Sequence, residues 1–170
     1  MKWYAIFVIA GKEDEVQKWI YYNYGKNDIY AVVPKRKLLE KKKGVKKEVV
    51  KNLFKGYVLI KTEMNNEKFK KIIKIPFVID ILGTGSYFSE IPKNEVKHIL
   101  KLVNNDGVIE FSKITIDGNR VFIKSGPLME SEFEIIKIDI RKSRAKIKFN
   151  FLNEEKYIDV GVKFLGSKVS

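Results

Sequence analysis

The feature that most constrains this chain is a change of hydrophobic period about two-thirds of the way along it. After Gly118 the apolar residues recur at every second position: Val121 and Ile123; Ile136, Ile138 and Ile140; Ala145, Ile147, Phe149 and Phe151; Ile158, Val160, Val162 and Phe164. A period of two is that of a strand with one face buried. Four such strands with short links, and no helical window of useful length, predict a small antiparallel β-barrel.

Upstream the pattern is mixed. Trp3–Ala10 is a near-continuous apolar run ending at Gly11, as expected of a central strand buried on both faces. Glu13, Asp14 and Glu15 follow where a helix N-terminus favours negative charge, and Val16, Trp19 and Ile20 recur at helical spacing. Further strands are expected at about Ile29–Pro34, Leu53–Lys61 and Phe77–Leu82. Helices are expected at Asn65–Lys74 and after Pro92, where Val96, Ile99, Leu100 and Val103 share one face. Strand, helix, two strands, helix, strand and a closing helix make a ferredoxin-like αβ sandwich, so the fold class is α+β. The expected domains are 1–104 for the sandwich, 105–116 for a linker and 117–170 for the barrel.

The chemistry available is narrow. There is no Cys, which excludes disulfides, thiolate metal sites and Cys nucleophiles. The one histidine, His98, lies off the apolar stripe of its helix and reads as a solvated side chain, and no phosphate-cradling glycine motif occurs. No catalytic residue, metal or cofactor is expected, and the chain reads as a non-enzyme. No apolar run has the roughly 18 to 20 residues a membrane helix needs. Trp3–Ala10 is followed by Lys12, Glu13, Asp14 and Glu15 rather than a cleavage site, so a buried strand is preferred to a signal peptide and the expected location is cytoplasmic.

Charge is what remains. The 170 residues hold 34 Lys and Arg against 21 Asp and Glu, a net +13 that attracts polyanions at long range. From Lys35 to Lys51 the net charge is +7, including Lys41, Lys42, Lys43, Lys46 and Lys47, with Gly44 near the middle. Two readings stand: a protruding extended hairpin drawn to a phosphate backbone, or a mobile solvated loop. Residues 115–170 carry only +3, yet alternation sends Lys137, Arg141, Arg144, Lys146 and Lys148 to the outer face of two strands joined at Lys142-Ser143. Two readings stand here too: a ladder that suits RNA, its like-charge crowding arguing mildly for a partner, or a solvent face in a Lys-rich protein. An aromatic group, Trp3 and Tyr4 with Phe54, Gly56 and Tyr57, falls on two strands expected to pair, and reads either as core or as an interface anchor.

At these residues a resemblance emerges. Lys2-Trp3-Tyr4, followed by a helix and then Phe54-Lys55-Gly56-Tyr57-Val58-Leu59-Ile60, resembles the N-terminal domain of NusG-family transcription factors. The run from Asp117 through Gly118, Arg120, Lys124, Gly126 and Pro127 to Leu128 resembles the KOW motif of that family's C-terminal barrel, which implies an SH3-like antiparallel β-barrel. The resemblance implies that Trp3, Tyr4, Phe54, Gly56 and Tyr57 meet the clamp helices of the largest RNA polymerase subunit. It also implies a monomer near the DNA of the transcription bubble, and a KOW barrel that takes a protein or RNA partner. Arg120 and Lys124 join the ladder as nucleic-acid candidates. Three departures stand out: Lys55 replaces the usual proline, which predicts a looser turn; Met129-Glu130-Ser131-Glu132 replaces glycines; and the ladder is unusually basic. The last two point to a specialised paralog, similar to LoaP-type processive antiterminators that engage a nascent RNA hairpin. The alternatives are a general NusG-type elongation factor whose KOW domain binds proteins, and a ribosome-associated KOW protein.

Overall fold

The computed structural model describes residues 1–84, 87–130 and 133–166. In chain order its elements are β1 (Lys2–Val8), α1 (Glu13–Asn23), β2 (Tyr30–Val32), β3 (Lys35–Lys42), β4 (Val45–Asn52), β5 (Tyr57–Thr62) and α2 (Asn66–Ile72). There follow β6 (Val78–Ile81), β7 (Gly83–Thr84), β8 (Tyr87–Phe88), α3 (Lys93–Leu102), β9 (Val108–Ile109), β10 (Ser112–Asp117) and β11 (Arg120–Ser125). A short 3-10 turn (Pro127–Glu130), β12 (Glu134–Asp139), β13 (Arg144–Phe151) and β14 (Glu154–Phe164) complete the chain. Two compact units result: Met1–Val33 with Phe54–Val96, and Pro34–Leu53 with Lys97–Ser170.

The first unit is built on an antiparallel sheet ordered β2-β5-β1-β6. The first strand is central, as its unbroken apolar run requires. Tyr4, Ile6 and Val8 of β1 meet Val58 and Ile60 of β5, Val16 and Ile20 of α1, and Ile72 and Ile75 around α2 in one core. Asn65 caps α2, its side-chain oxygen accepting the Lys68 N–H at 2.8 Å, and so satisfies one of the helix's orphan donors.

The second unit holds a five-stranded sheet ordered β11-β10-β14-β13-β12 and a smaller one ordered β4-β3-β9. The α+β class is as the sequence implied: an αβ sandwich and a β domain. Its details differ in three ways. The β10–β14 pairing is parallel, so the β domain is not wholly antiparallel. The stretch 105–116, expected to link, carries β9 and most of β10, because Ile109 and Ile114 are buried and their backbones pair. The register of β12 against β13 shifts between Ile135 and Lys137. That bulge turns Ile136 outward, leaving it 44% exposed, and Ile140 lies beyond the strand in the turn to β13 at 59%. Ile136 and Ile140 are therefore not core residues, whereas Ala145, Ile147, Phe149 and Phe151 are.

His98 is half-buried and sets its ring edge-on to Phe133 at 5.6 Å, so it is a packing group rather than a freely solvated one. The Met129–Glu132 departure falls partly outside the described residues; what precedes it is well tied. Gly126 (φ +102°) lies so close to Ser112 that no Cβ would fit, and the Leu128 N–H donates to the Ser112 hydroxyl at 3.0 Å.

Candidate aromatic and basic surfaces

Strand alternation divides the aromatic group. Tyr4 points into the core of the first unit and is 5% exposed. Trp3 lies on the opposite face, bridged to Ile91, edge-on to Tyr30 at 6.0 Å and only 6% exposed. Neither is a surface anchor, because both lie in the middle of a strand buried on both faces. In the β1–β5 register Phe7 is the partner of Tyr57, and their rings sit 4.8 Å apart at 47°. Both are partly exposed, as is Phe54. The partly exposed aromatics are thus the Phe7–Tyr57 pair and, separately, Phe54. Phe7 escaped the sequence reading because nothing in a continuous apolar run marks one member as accessible; only the register with Tyr57 does.

The turn before Tyr57 is held firmly. Gly56 adopts φ +82°, a conformation that glycine takes without strain. Its carbonyl accepts the Val8 N–H at 2.9 Å, and its own N–H donates to Glu13 Oε1 at 2.9 Å. The Glu13 carboxylate, 1% exposed, also accepts the Gly11 N–H with both oxygens, at 3.1 and 3.0 Å. Lys55 is exposed and does not loosen the turn, since glycine and the buried carboxylate fix it without a proline.

Residues Lys35–Lys51 form an ordered hairpin, β3 paired with β4 in unbroken register, and not a mobile loop. Lys43 (φ +51°) and Gly44 (φ +79°) make its two-residue turn, a primed type that matches strand twist. The hairpin is anchored within the second unit: Arg36 Nη1 donates to the Asp159 carbonyl at 2.6 Å, and Lys163 pairs with Glu48 at 2.8 Å. Burial depresses the pKa of Arg36, with Asp159 opposing the shift. Lys41, Lys42, Lys43, Lys46 and Lys47 are exposed, with Lys41 directly opposite Lys46.

The ladder on β12 and β13 is not uniform. Lys148 is held by Glu155 at 3.2 Å and Glu134 at 4.0 Å, and the Glu155 hydrogen bond raises its pKa. Arg144 is half-buried, with Glu40 and Asp159 at 3.9 and 3.8 Å, and its Nε is buried without a hydrogen-bond partner. Lys137 and Lys146 are cross-strand partners and exposed, as are Arg141 and Lys142 at the tip. The Lys142 N–H donates to Asp139 at 3.0 Å, which lowers the Asp139 pKa and fixes the turn. Arg120 and Lys124 are exposed on β11, with Lys124 lying 5.7 Å from the centre of the Phe122 ring.

Among the described residues no group of three or more His, Cys, Asp or Glu could hold a metal, and no helix is long and apolar enough to cross a membrane. The site thus consists of partly exposed aromatics on an αβ sandwich and exposed cations on a β domain. Residues 1–100 match the family model described as NusG, transcription termination factor nusG. The transcription termination/antitermination protein NusG of Thermus thermophilus is 24% identical over 174 residues, covering 94% of this chain and 95% of that protein. Its counterpart from Staphylococcus carnosus is 27% identical over 172 residues, covering 94% and 91%. A solved structure of Thermotoga maritima NusG superposes with a TM-score of 0.56 at 22% identity, covering 94% of this chain and 93% of that one. The chain belongs to the NusG family of transcription termination and antitermination factors, which are not enzymes.

Proposed function

We propose that this chain is a processive antitermination factor of the LoaP type, working in the cytoplasm as a monomer. Its first unit holds RNA polymerase at the clamp helices of the largest subunit, beside the DNA of the transcription bubble. Its β domain reads a nascent RNA hairpin. The observation that carries the reading is the Lys137–Lys146 pair with Arg141 and Lys142, four exposed cations on one hairpin, two of them directly opposed across the strands. Like charges facing across strands destabilise a sheet, and a polyanion relieves them. Phe7, Tyr57 and Phe54 take the polymerase-facing role, with Gly56 shaping their turn, in place of the buried Trp3 and Tyr4.

A second reading, the general elongation factor, is favoured by a different observation. Val121, Phe122, Ile136 and Ile140 are exposed on the β domain, and exposed apolar side chains suit a protein partner. Titration of the full chain with leader stem-loops and with the same nucleotides scrambled, at fixed salt, separates the two. The first reading expects a preference of at least about a hundredfold for a stem-loop; a ratio near one supports the second.

A further inference from the structure

The two basic features that look separate in the sequence converge. The tip of the β3–β4 hairpin and the β12–β13 turn form the walls of an open groove of about 780 Å³, lined by Lys41, Lys46, Arg141, Lys142, Arg144 and Glu40 among others. Three constraints fix the walls. Arg36 donates to the Asp159 carbonyl, Lys163 pairs with Glu48, and Gly161 of β14 approaches the Lys37 carbonyl too closely to admit a Cβ. Each wall ends in a tight turn with a non-glycine residue at positive φ, Lys43 on one side and Ser143 on the other, so the cations are presented from rigid supports.

Five of these lining residues are cationic and one is acidic. The acid is Glu40. Its hydrogen bond to Lys51 holds its pKa below the ordinary carboxylate value, so it stays charged at neutral pH. It stands 3.9 Å from Arg144, an ion-pair rather than a hydrogen-bond distance. Glu40 therefore draws on the guanidinium without saturating it, as does Asp159 at 3.8 Å, while the partnerless Arg144 Nε is buried away from the groove. An open, two-walled cationic groove suits an extended polyanion whose charges reach both walls together. A fixed negative charge inside it repels any phosphate placed carelessly.

We propose that the β3–β4 hairpin and the β12–β13 turn form one groove that grips the phosphate backbone of structured RNA from both sides, with Glu40 lowering the affinity for unstructured strands. This rests on the RNA-reading function proposed above. A folded backbone meets both walls at once and offsets the repulsion of Glu40; a flexible strand must be ordered first and gains less.

The test uses the full chain at fixed salt, titrated with a labelled leader stem-loop and its scrambled counterpart. The variants are Lys41→Ala/Lys46→Ala, Arg141→Ala/Lys142→Ala, the four together, Glu40→Gln, and a charge-matched control in the first unit, Lys18→Ala/Lys70→Ala, each checked for an unchanged thermal melt. Each groove pair is expected to weaken stem-loop binding roughly tenfold or more, beyond the control, and to flatten its salt dependence. The fourfold variant should lose less than the product of the two pairs, as expected for coupled sites. Glu40→Gln should tighten the scrambled strand more than the stem-loop and so reduce the preference. If the Arg141 pair weakens binding while the Lys41 pair acts only like the control, the shared groove is overturned and RNA reading by the barrel stands. An unchanged preference in Glu40→Gln overturns the role of that residue. A wild-type chain without stem-loop preference overturns the RNA-reading function, and the groove with it. Displacement of RNA by an acidic peptide at lower concentration than by unlabelled stem-loop would make this a protein groove and overturn the proposal.

Discussion

The carboxylate of Glu13 accepts the N–H of Gly56 at 2.9 Å, tying the start of α1 to the turn that presents Tyr57. Because Glu13 is buried and also accepts the Gly11 N–H, its removal leaves two amides without that acceptor. Glu13→Ala should destabilise the fold by about 1–3 kcal/mol, measured by urea denaturation. Glu13→Gln keeps an acceptor oxygen but buries new donors, and should retain part of the loss. Wild-type stability in Glu13→Ala would mean that the turn stands without this link.

Phe7 and Tyr57 present partly exposed rings on one face of the sheet. Tyr57→Ala and Phe7→Ala should each weaken polymerase binding by about 1–3 kcal/mol, in the range of an aromatic interface anchor. RNA binding should be unaffected. Co-sedimentation with polymerase and RNA titration on the same preparations check both halves, and equal losses in both would point to unfolding.

Gly161 is where β14 passes under the β3–β4 hairpin, and a Cβ there collides with the Lys37 carbonyl and the Phe111 ring. Gly161→Ala should cost about 1–3 kcal/mol by overpacking. It should also increase amide exchange along β3 and β4 before the rest of the second unit. Uniform exchange across that unit would show the hairpin not to be a separable element.

Acid should loosen the same hairpin. Glu40 and Glu48 have pKa values lowered by hydrogen bonds from Lys51 and Lys163. For carboxylates with depressed folded values, the stabilisation is fully present above the ordinary value of 4.5 and is lost as pH falls through the folded values. Both side chains are solvated, so the effect is small. Thermal melts between pH 3 and 7 should fall only in the acid limb, and the Glu40→Gln/Glu48→Gln variant should show a shallower fall.

Much of this architecture is legible in residues close together in the chain. The period-two run from Ala145 to Phe151 marks its own strand, whereas Gly44 between two stretches that could pair leaves hairpin and mobile loop open until β3 and β4 are seen paired. What sequence cannot supply is long-range register. Trp3, Tyr4 and Phe7 look equivalent in one apolar run; only pairing with β5 separates the two buried rings from the open one. The bulge after Ile135 reverses the facing of Ile136 with no local signal. Glu13 is legible as a helix-terminal charge, but its bond to Gly56 spans 43 positions. The docking of β3 against Gly161 likewise joins distant segments, which is why the hairpin and the ladder look separate until the chain is folded.

Under the proposed function, this NusG-family chain carries polymerase past terminators in response to a structured RNA. A single-round transcription assay on a template with the leader stem-loop upstream of a terminator tests it directly. Adding the chain should raise read-through severalfold, and deleting or scrambling the stem-loop should abolish that gain. Equal read-through on the intact and scrambled templates would contradict it.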